Sequence, residues 1–510
     1  MGPHVVQDQS DIFAFLGDPA THKLMEPVTR IDTHGAAVFL AGPDVYKVKR
    51  AVQFPFMDFS TLEKRRLACE SELAVNKANA PNLYLGVVPI SRNAVGLKFG
   101  DGGVIVEWAV HLRRFDENRT LDRLAERGEL DLEIIAKLAD VVVASHRRAP
   151  VAAGKQSTLS LKRQIEETLD SLAASPDVFA APAVSELRRR MTSAFERAAP
   201  LLSAGEAQGQ ARRCHGDLHL RNIVMIKGAP VLFDAIEFDE SLAICDILYD
   251  LAFLLMDLWT RGLRLHANLL LSRYFSSYDE ADKEIEGLAA LPLFLSLRAA
   301  IRAKVANLEP QKSEAAIALA QHNFAAASAF LEPSRLELVA IGGRSGTGKS
   351  SLARALAASI GRAPGALHLR SDVERKRLFK LAEFDRLPDA AYQPEVSAMT
   401  YSRLRQLAAI VLAAGQSVLI DAAHLKEEER FAVTELASRS GARFTGLWLD
   451  APTAVLSERV AKRSYDASDA TPAIVAAQAK EPLGVVEWRR LDASDPLESL
   501  VHQALAAIRG

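Results

Sequence analysis

The 510-residue chain exceeds what one ordinary hydrophobic core organises, so two domains are expected. Its 49% hydrophobic and 25% charged residues fit a soluble globular protein and argue against a fibrous or disordered one. A formal net charge of -2 gives no basic footprint for nucleic acid, and the three cysteines, Cys69, Cys214 and Cys245, form no CxxC pair of the kind that builds zinc sites.

The first residues lack the basic-then-apolar profile of a signal peptide, and no apolar run reaches the roughly 18 residues that a spanning helix requires. A cytoplasmic protein with no membrane or nucleic-acid partner is therefore expected; oligomeric state leaves no trace in the sequence. From about residue 31 the text predicts short strands, AAVFLAG and VYKVKRAV, separated by a Gly-Pro-Asp turn. A helical stretch, STLEKRRLACESELAVNKAN, precedes strand-like LGVVPI and GVIVEWAV. Lys47 and Lys49, two apart on one strand face, are the candidate phosphate lysines, with Lys47 favoured. Glu72, with Glu70 as the alternative, is the candidate helical partner. Residues 130–208 read as amphipathic helix.

Helical text then gives way to His215-Gly216-Asp217-Leu218-His219-Leu220-Arg221-Asn222, followed by apolar VLF and Asp234. The spacing H-x-D-x-x-x-x-N is that of the protein-kinase catalytic loop. Phosphoryl transfer needs a base to align the acceptor hydroxyl and oxygen ligands for Mg2+. Asp217 suits the first task, Asn222 and Asp234 the second. Metal binding by the H-x-D-x-H run is the alternative. Glycine at 216, where protein kinases have arginine, makes the segment resemble the aminoglycoside and choline phosphotransferases, and the resemblance extends to FDAIEFDES and CDILYDLAFLL, where Asp246 and Asp250 would brace the loop.

After Glu332-Pro333-Ser334 the text restarts as strand, glycine loop and helix. Gly343-Arg344-Ser345-Gly346-Thr347-Gly348-Lys349-Ser350 fits G-x-x-x-x-G-K-[ST] in full. Backbone N–H groups from Gly343 through Ser350 would cradle ATP phosphates, with Lys349 on the β- and γ-phosphates and Ser350 on Mg2+. Further strands are predicted in ALHLR, SVLID, FTGLWLD and VVEWRRLD, alternating with helices as in a parallel sheet. Asp372, in RSDVERKRL, is placed to accept a proton from a substrate hydroxyl and also suits a helix N-cap; Arg375 is placed to hold an anionic or polar group. Asp421 closes VLID as a candidate metal carboxylate, and Arg459 and Arg463, four apart on one helical face, are candidates to neutralise transferring phosphate. Together these segments resemble gluconate-kinase and zeta-toxin-like P-loop kinases.

The whole chain resembles the bacterial bifunctional aminoglycoside phosphotransferase/ATP-binding protein family. That resemblance implies an α+β protein-kinase-like domain over residues 1–333 and an α/β P-loop domain with a parallel sheet over 334–510. It implies two ATP- and Mg2+-dependent kinase sites acting on small hydroxylated metabolites. Two other readings stay open at this level: one half regulates a single kinase, or the first half restrains a toxin-like second half.

Overall fold

The computed structural model describes residues 4–54, 57–152, 157–278, 281–308, 313–383, 385–462 and 468–510. Its contacts divide the chain into two compact units, residues 1–161 with 205–250, and residues 162–204 with 251–510. The Glu332-Pro333-Ser334 punctuation thus falls inside the second unit. Helical text from 251 onward packs with the P-loop sheet: Asn268 Nδ2 donates to the carbonyls of Pro364 and Ala366 at 3.1 and 2.9 Å.

In the first unit, helix α1 (Ser10–Gly17) precedes a six-stranded antiparallel sheet. Its strands are β1 (Thr29–Asp32), β2 (Ala36–Ala41), β3 (Asp44–Lys49), β4 (Tyr84–Asn93), β5 (Gly96–Phe99) and β6 (Val104–Arg113), in the order β1-β2-β3-β6-β4-β5. Alternation along the strands gives two apolar faces. Phe39, Val48 and Ala109 pack on Ile12 and Leu16 of α1. Leu40, Val45, Val110 and Leu112 pack instead around Cys69, from helix α2 (Leu62–Lys77). Thr61 caps α2, its Oγ1 accepting the Lys64 N–H at 3.2 Å. Because side chains alternate, Lys47 and Lys49 share the α2 face with Val45. The catalytic-loop segment follows later and leads into the hairpin β7 (Ile223–Ile226) and β8 (Ala229–Leu232).

In the second unit five parallel strands, β9 (Glu337–Gly342), β10 (Leu367–Arg370), β11 (Val418–Asp421), β12 (Arg443–Asp450) and β13 (Arg489–Asp492), stand in the order β10-β11-β9-β12-β13. β9 is buried along its whole length, the pattern of a strand covered on both faces. Val339, Ile341, Leu419, Leu447 and Leu449 form a core with Leu352 and Leu356 and with Leu500, Ala504 and Ile508 of the last helix. Each such leucine or isoleucine contributes about 1.5–3 kcal/mol by leaving water. The predicted strand VVEWRRLD pairs only over Arg489–Asp492. Upstream, the Arg430 guanidinium takes the carbonyls of Leu483 and Val485. The order places β9 between its two crossovers, so a crevice opens beyond the carboxyl ends of β9 and β11, where open α/β sheets hold ligands.

Candidate active sites

At the first site, the backbone conformation of the loop explains its glycine. Gly216 has φ 81°, and a Cβ there would stand 3.1 Å from Ile236 Cδ1 and 3.4 Å from Ala243 Cα. The Asp250 carboxylate holds the loop from below, accepting the Gly216 N–H at 2.8 Å and the His215 N–H at 3.3 Å. Asp246 caps the following helix through the Leu248 N–H at 2.8 Å, and burial pushes its carboxyl up to about 6. The loop so fixed presents Asp217, whose Oδ2 accepts Asn222 Nδ2 at 2.9 Å and lies 3.2 Å from His219 Nε2. The Asn222 amide also donates to the Asp217 carbonyl at 3.0 Å, leaving its Oδ1 as the oxygen to offer a cation.

Strand β3 brings its two lysines to the same buried carboxylate. Lys47 Nζ lies 2.9 Å from Glu72 Oε1 and 2.7 Å from Asp234 Oδ1. Lys49 Nζ lies 2.6 Å from Glu72 Oε2 and pairs also with Glu237. Burial works against the Lys47 charge, but Asp234, Glu72 and Glu237 outweigh it and raise it well above the ordinary lysine value. Burial likewise opposes the Asp234 and Glu72 charges, and the lysines outweigh it, Lys47 foremost, so both carboxyls sit below their ordinary values. Glu70 turns outward to Arg66 at 2.6 Å. Asp234 has φ 60°, and the Tyr84 hydroxyl accepts its N–H at 3.2 Å. Tyr84 is buried and lies in no motif, so nothing in the neighbouring text singles it out. Tyr84→Phe, which removes that acceptor, is expected to cost about 1–3 kcal/mol of stability, read as a lowered melting temperature.

At the second site, the strand–loop–helix geometry is set by close packing. Gly346 has φ 87°, and a Cβ there would meet the Leu456 carbonyl oxygen at 2.8 Å. Helix α3 (Lys349–Ala357) begins at Lys349, so its free N–H groups and positive dipole end face the loop. Lys349 Nζ donates to the Gly343 and Arg344 carbonyls at 2.9 and 3.0 Å. Thr347 is buried and donates to the Arg344 carbonyl at 2.8 Å, bracing the loop. Ser350 Oγ donates to Asp421 Oδ2 at 2.6 Å, at the carboxyl end of β11. His368 Nε2 and Arg370 Nε lie 3.4 and 3.7 Å from the same oxygen. Burial opposes the Asp421 charge, but His368, Arg370 and Lys349 outweigh it and hold the carboxyl far below its usual range.

A cavity of about 600 Å³ is lined by Ser345, Gly346, Gly348, Lys349, Ser350 and Asp421, and equally by Asp372 and Arg375. Asp372 stands in the first turn of helix α4 (Ser371–Leu378), whose N-cap is Arg370 and not Asp372, and burial raises its carboxyl above the ordinary aspartate value. Arg375 is 7% exposed. Its Nη1 donates to the Ala391 carbonyl at 2.7 Å and Ser397 Oγ at 3.1 Å, and it lies 5.2 Å over the Tyr392 ring. Its Nε has no hydrogen-bond partner among the described residues. Arg459 is exposed and donates to the Ala493 carbonyl at 2.8 Å; the structure does not bring it to the cavity. Arg463 lies outside the described residues. Both sites offer sets of oxygen ligands of the kind Mg2+ takes: Asn222 and Asp234 in one, Ser350 and Asp421 in the other.

Two kinase-type domains follow one another in this chain. Residues 68–288 match the model of the phosphotransferase enzyme family, and residues 338–482 match an AAA domain. The chain is therefore an ATP-dependent phosphotransferase that joins a kinase-like domain to a P-loop kinase domain. Uncharacterized protein Rv2004c of Mycobacterium tuberculosis strain H37Rv is 28% identical over 484 residues, covering 93% of this chain and 94% of that protein. A Mycobacterium bovis protein matches to the same extent. Among solved structures, a gluconokinase from Sinorhizobium meliloti 1021 is 24% identical with a TM-score of 0.24, over 34% of this chain and 93% of its own. A choline/ethanolamine kinase family protein from Mesorhizobium loti is 16% identical with a TM-score of 0.37, over 62% of this chain and 95% of its own. Among the described residues, no helix is long and apolar enough to cross a membrane.

Proposed function

We propose that the chain carries two Mg2+-dependent kinase sites, each transferring the γ-phosphoryl group of ATP to a hydroxyl of a small metabolite. At the first, Asp217 orients the acceptor hydroxyl and takes its proton, Lys47 holds phosphate, Glu72 holds Lys47, and Asn222 and Asp234 hold the metal. At the second, the loop amides and Lys349 hold phosphate, Ser350 and Asp421 hold the metal, and Asp372 receives the acceptor proton. Bound Mg2+ supplies neutralisation of the charge on the β- and γ-phosphates. The raised Asp372 carboxyl makes a stronger base than a solvated aspartate once ionised.

What supports this reading most is the single cavity lined at once by the phosphate loop and by Asp372 and Arg375. Donor and acceptor then share one space, which positioning catalysis demands. Arg375 also suggests the acceptor's chemistry. Among the described residues its hydrogen bonds go to a carbonyl and a hydroxyl, and although the Asp372 carboxyl feels its charge, the Nε that is left without a partner favours an anionic group on the substrate. The second acceptor is accordingly a hydroxylated acid or phosphate ester.

The test is a screen of a cellular metabolite pool for ATP-dependent phosphorylation, using wild type, Asp217→Ala and Lys349→Ala. Each substitution is expected to erase a different set of products, with anionic acceptors in the Lys349-dependent set. Products that depend on Lys349 alone would leave the first unit as a regulatory module. Products that depend on neither residue would sink both assignments.

A further inference from the structure

Gln478 lies 133 positions beyond Ser345 of the phosphate loop and yet is bonded to that loop twice. The Ser345 backbone N–H donates to Gln478 Oε1 at 2.8 Å, and Arg344 Nε donates to the Gln478 carbonyl at 3.3 Å. The seat is built by packing. Helix α5 (Thr453–Ala461) places Leu456 and Val460 against Val475 of helix α6 (Pro472–Lys480). The Leu456 carbonyl and the Val460 side chain are also what a Cβ on Gly346 would strike, so α5 touches the loop directly. Thr471 caps α6, its Oγ1 accepting the Ile474 N–H at 3.4 Å, and Pro472 takes the first turn, where a missing N–H costs nothing. Gln478 falls three residues after Val475, on the same helical face. The face that docks α6 therefore delivers the carboxamide to the loop.

A carboxamide offers one acceptor oxygen and two N–H donors. The Ser345 N–H can donate only to the oxygen, which fixes the amide's orientation. Among the described residues neither Nε2 proton has a partner, and Gln478 lines the cavity together with Lys349, Ser350 and Asp372. Ser345 precedes the glycines that cradle the inner phosphates, and Asp372 marks the acceptor's place. A neutral donor between them meets the terminal phosphate without adding charge to the loop.

We infer that Gln478 is a γ-phosphate contact of the second kinase site: Ser345 holds its oxygen, and its Nε2 donates to the phosphoryl group that is transferred. This rests on the reading of the P-loop as a nucleotide site, and the experiment separates the two. Full-length wild type, Gln478→Ala, Gln478→Glu and Lys349→Ala are titrated calorimetrically with Mg2+ and either ADP or the non-hydrolysable β,γ-imido analogue of ATP. The binding lost in Lys349→Ala identifies the P-loop site, and equal melting temperatures establish that the variants are folded.

Gln478→Ala is expected to weaken the imido analogue about tenfold or more at that site, as loss of a hydrogen bond to a charged group does, while ADP binds as in wild type. Gln478→Glu keeps an oxygen for Ser345 but loses the donors, so a merely structural role would be rescued. It is expected to lose at least as much affinity for the imido analogue, again with ADP spared. Equal losses for both nucleotides, no loss for either, or rescue by glutamate would overturn the inference while leaving the P-loop reading intact. Identical titrations of wild type and Lys349→Ala would overturn that reading and the inference with it.

Discussion

Replacing Lys349 by alanine is expected to lower phosphoryl transfer at the second site by at least about a hundredfold, with the fold intact. The ammonium is held over the loop by the Gly343 and Arg344 carbonyls. Charge on the transferring phosphoryl oxygens is stabilised by fixed donors, and removing one costs about 2.7–4 kcal/mol, which corresponds to a hundredfold or more in rate. Stability should change little. The strand–loop–helix core is carried by Val339, Ile341, Leu352 and Leu356, and Lys349 belongs to none of that packing. ADP release measured with the Lys349-dependent substrate, beside a thermal melt, checks both halves of the expectation. A folded variant with unchanged turnover of that substrate would remove Lys349 from the mechanism.

The second site was legible in one stretch because its chemistry is local. A phosphate loop needs consecutive N–H groups, a lysine and a hydroxyl within eight positions, so the whole cradle is written as Gly343 to Ser350. Asp217 and Asn222 are local for the same reason. What the sequence withheld are pairings made by folding. Tyr84 meets Asp234 across 150 positions and Gln478 meets Ser345 across 133; neither is flagged by its neighbours. Lys47 and Lys49 could be narrowed no further by text, since alternation puts both on one face. The fold separates their partners: both reach Glu72, but Lys47 reaches Asp234 and Lys49 reaches Glu237. The sequence puts the helices after residue 250 with the first domain, and the phosphotransferase match does run to residue 288, but by contacts they group with the P-loop unit, where Arg403 donates to Asp282 at 2.8 Å.

At the first site, Asp217→Asn and Asp234→Ala are expected to fail in different ways. Asp217 is 40% exposed at its side chain and faces Asn222 and His219, so it is bonded to the loop and open to an acceptor. Asparagine keeps its shape and its tie to the loop but cannot take a proton. Transfer should fall by about a hundredfold to ten-thousandfold, the range a positioned general base contributes. Nucleotide affinity should survive, because Lys47, Glu72 and Asp234 are untouched. Asp234 has the opposite situation. Its backbone is pinned in the left-handed region, with its own N–H on Tyr84 and the next N–H on Asn76 Oδ1 at 2.8 Å. Its carboxylate is held ionised against Lys47, which makes it a charged oxygen ligand at physiological pH. Alanine there removes a metal oxygen and leaves Lys47 to Glu72 alone, so Mg·ATP binding itself should weaken. Calorimetric titration of each variant with Mg·ATP in a Lys349→Ala background, followed by single-turnover transfer at saturating nucleotide, distinguishes them. Equal losses of affinity with equal residual rates would mean that the two carboxylates do not divide base and metal between them.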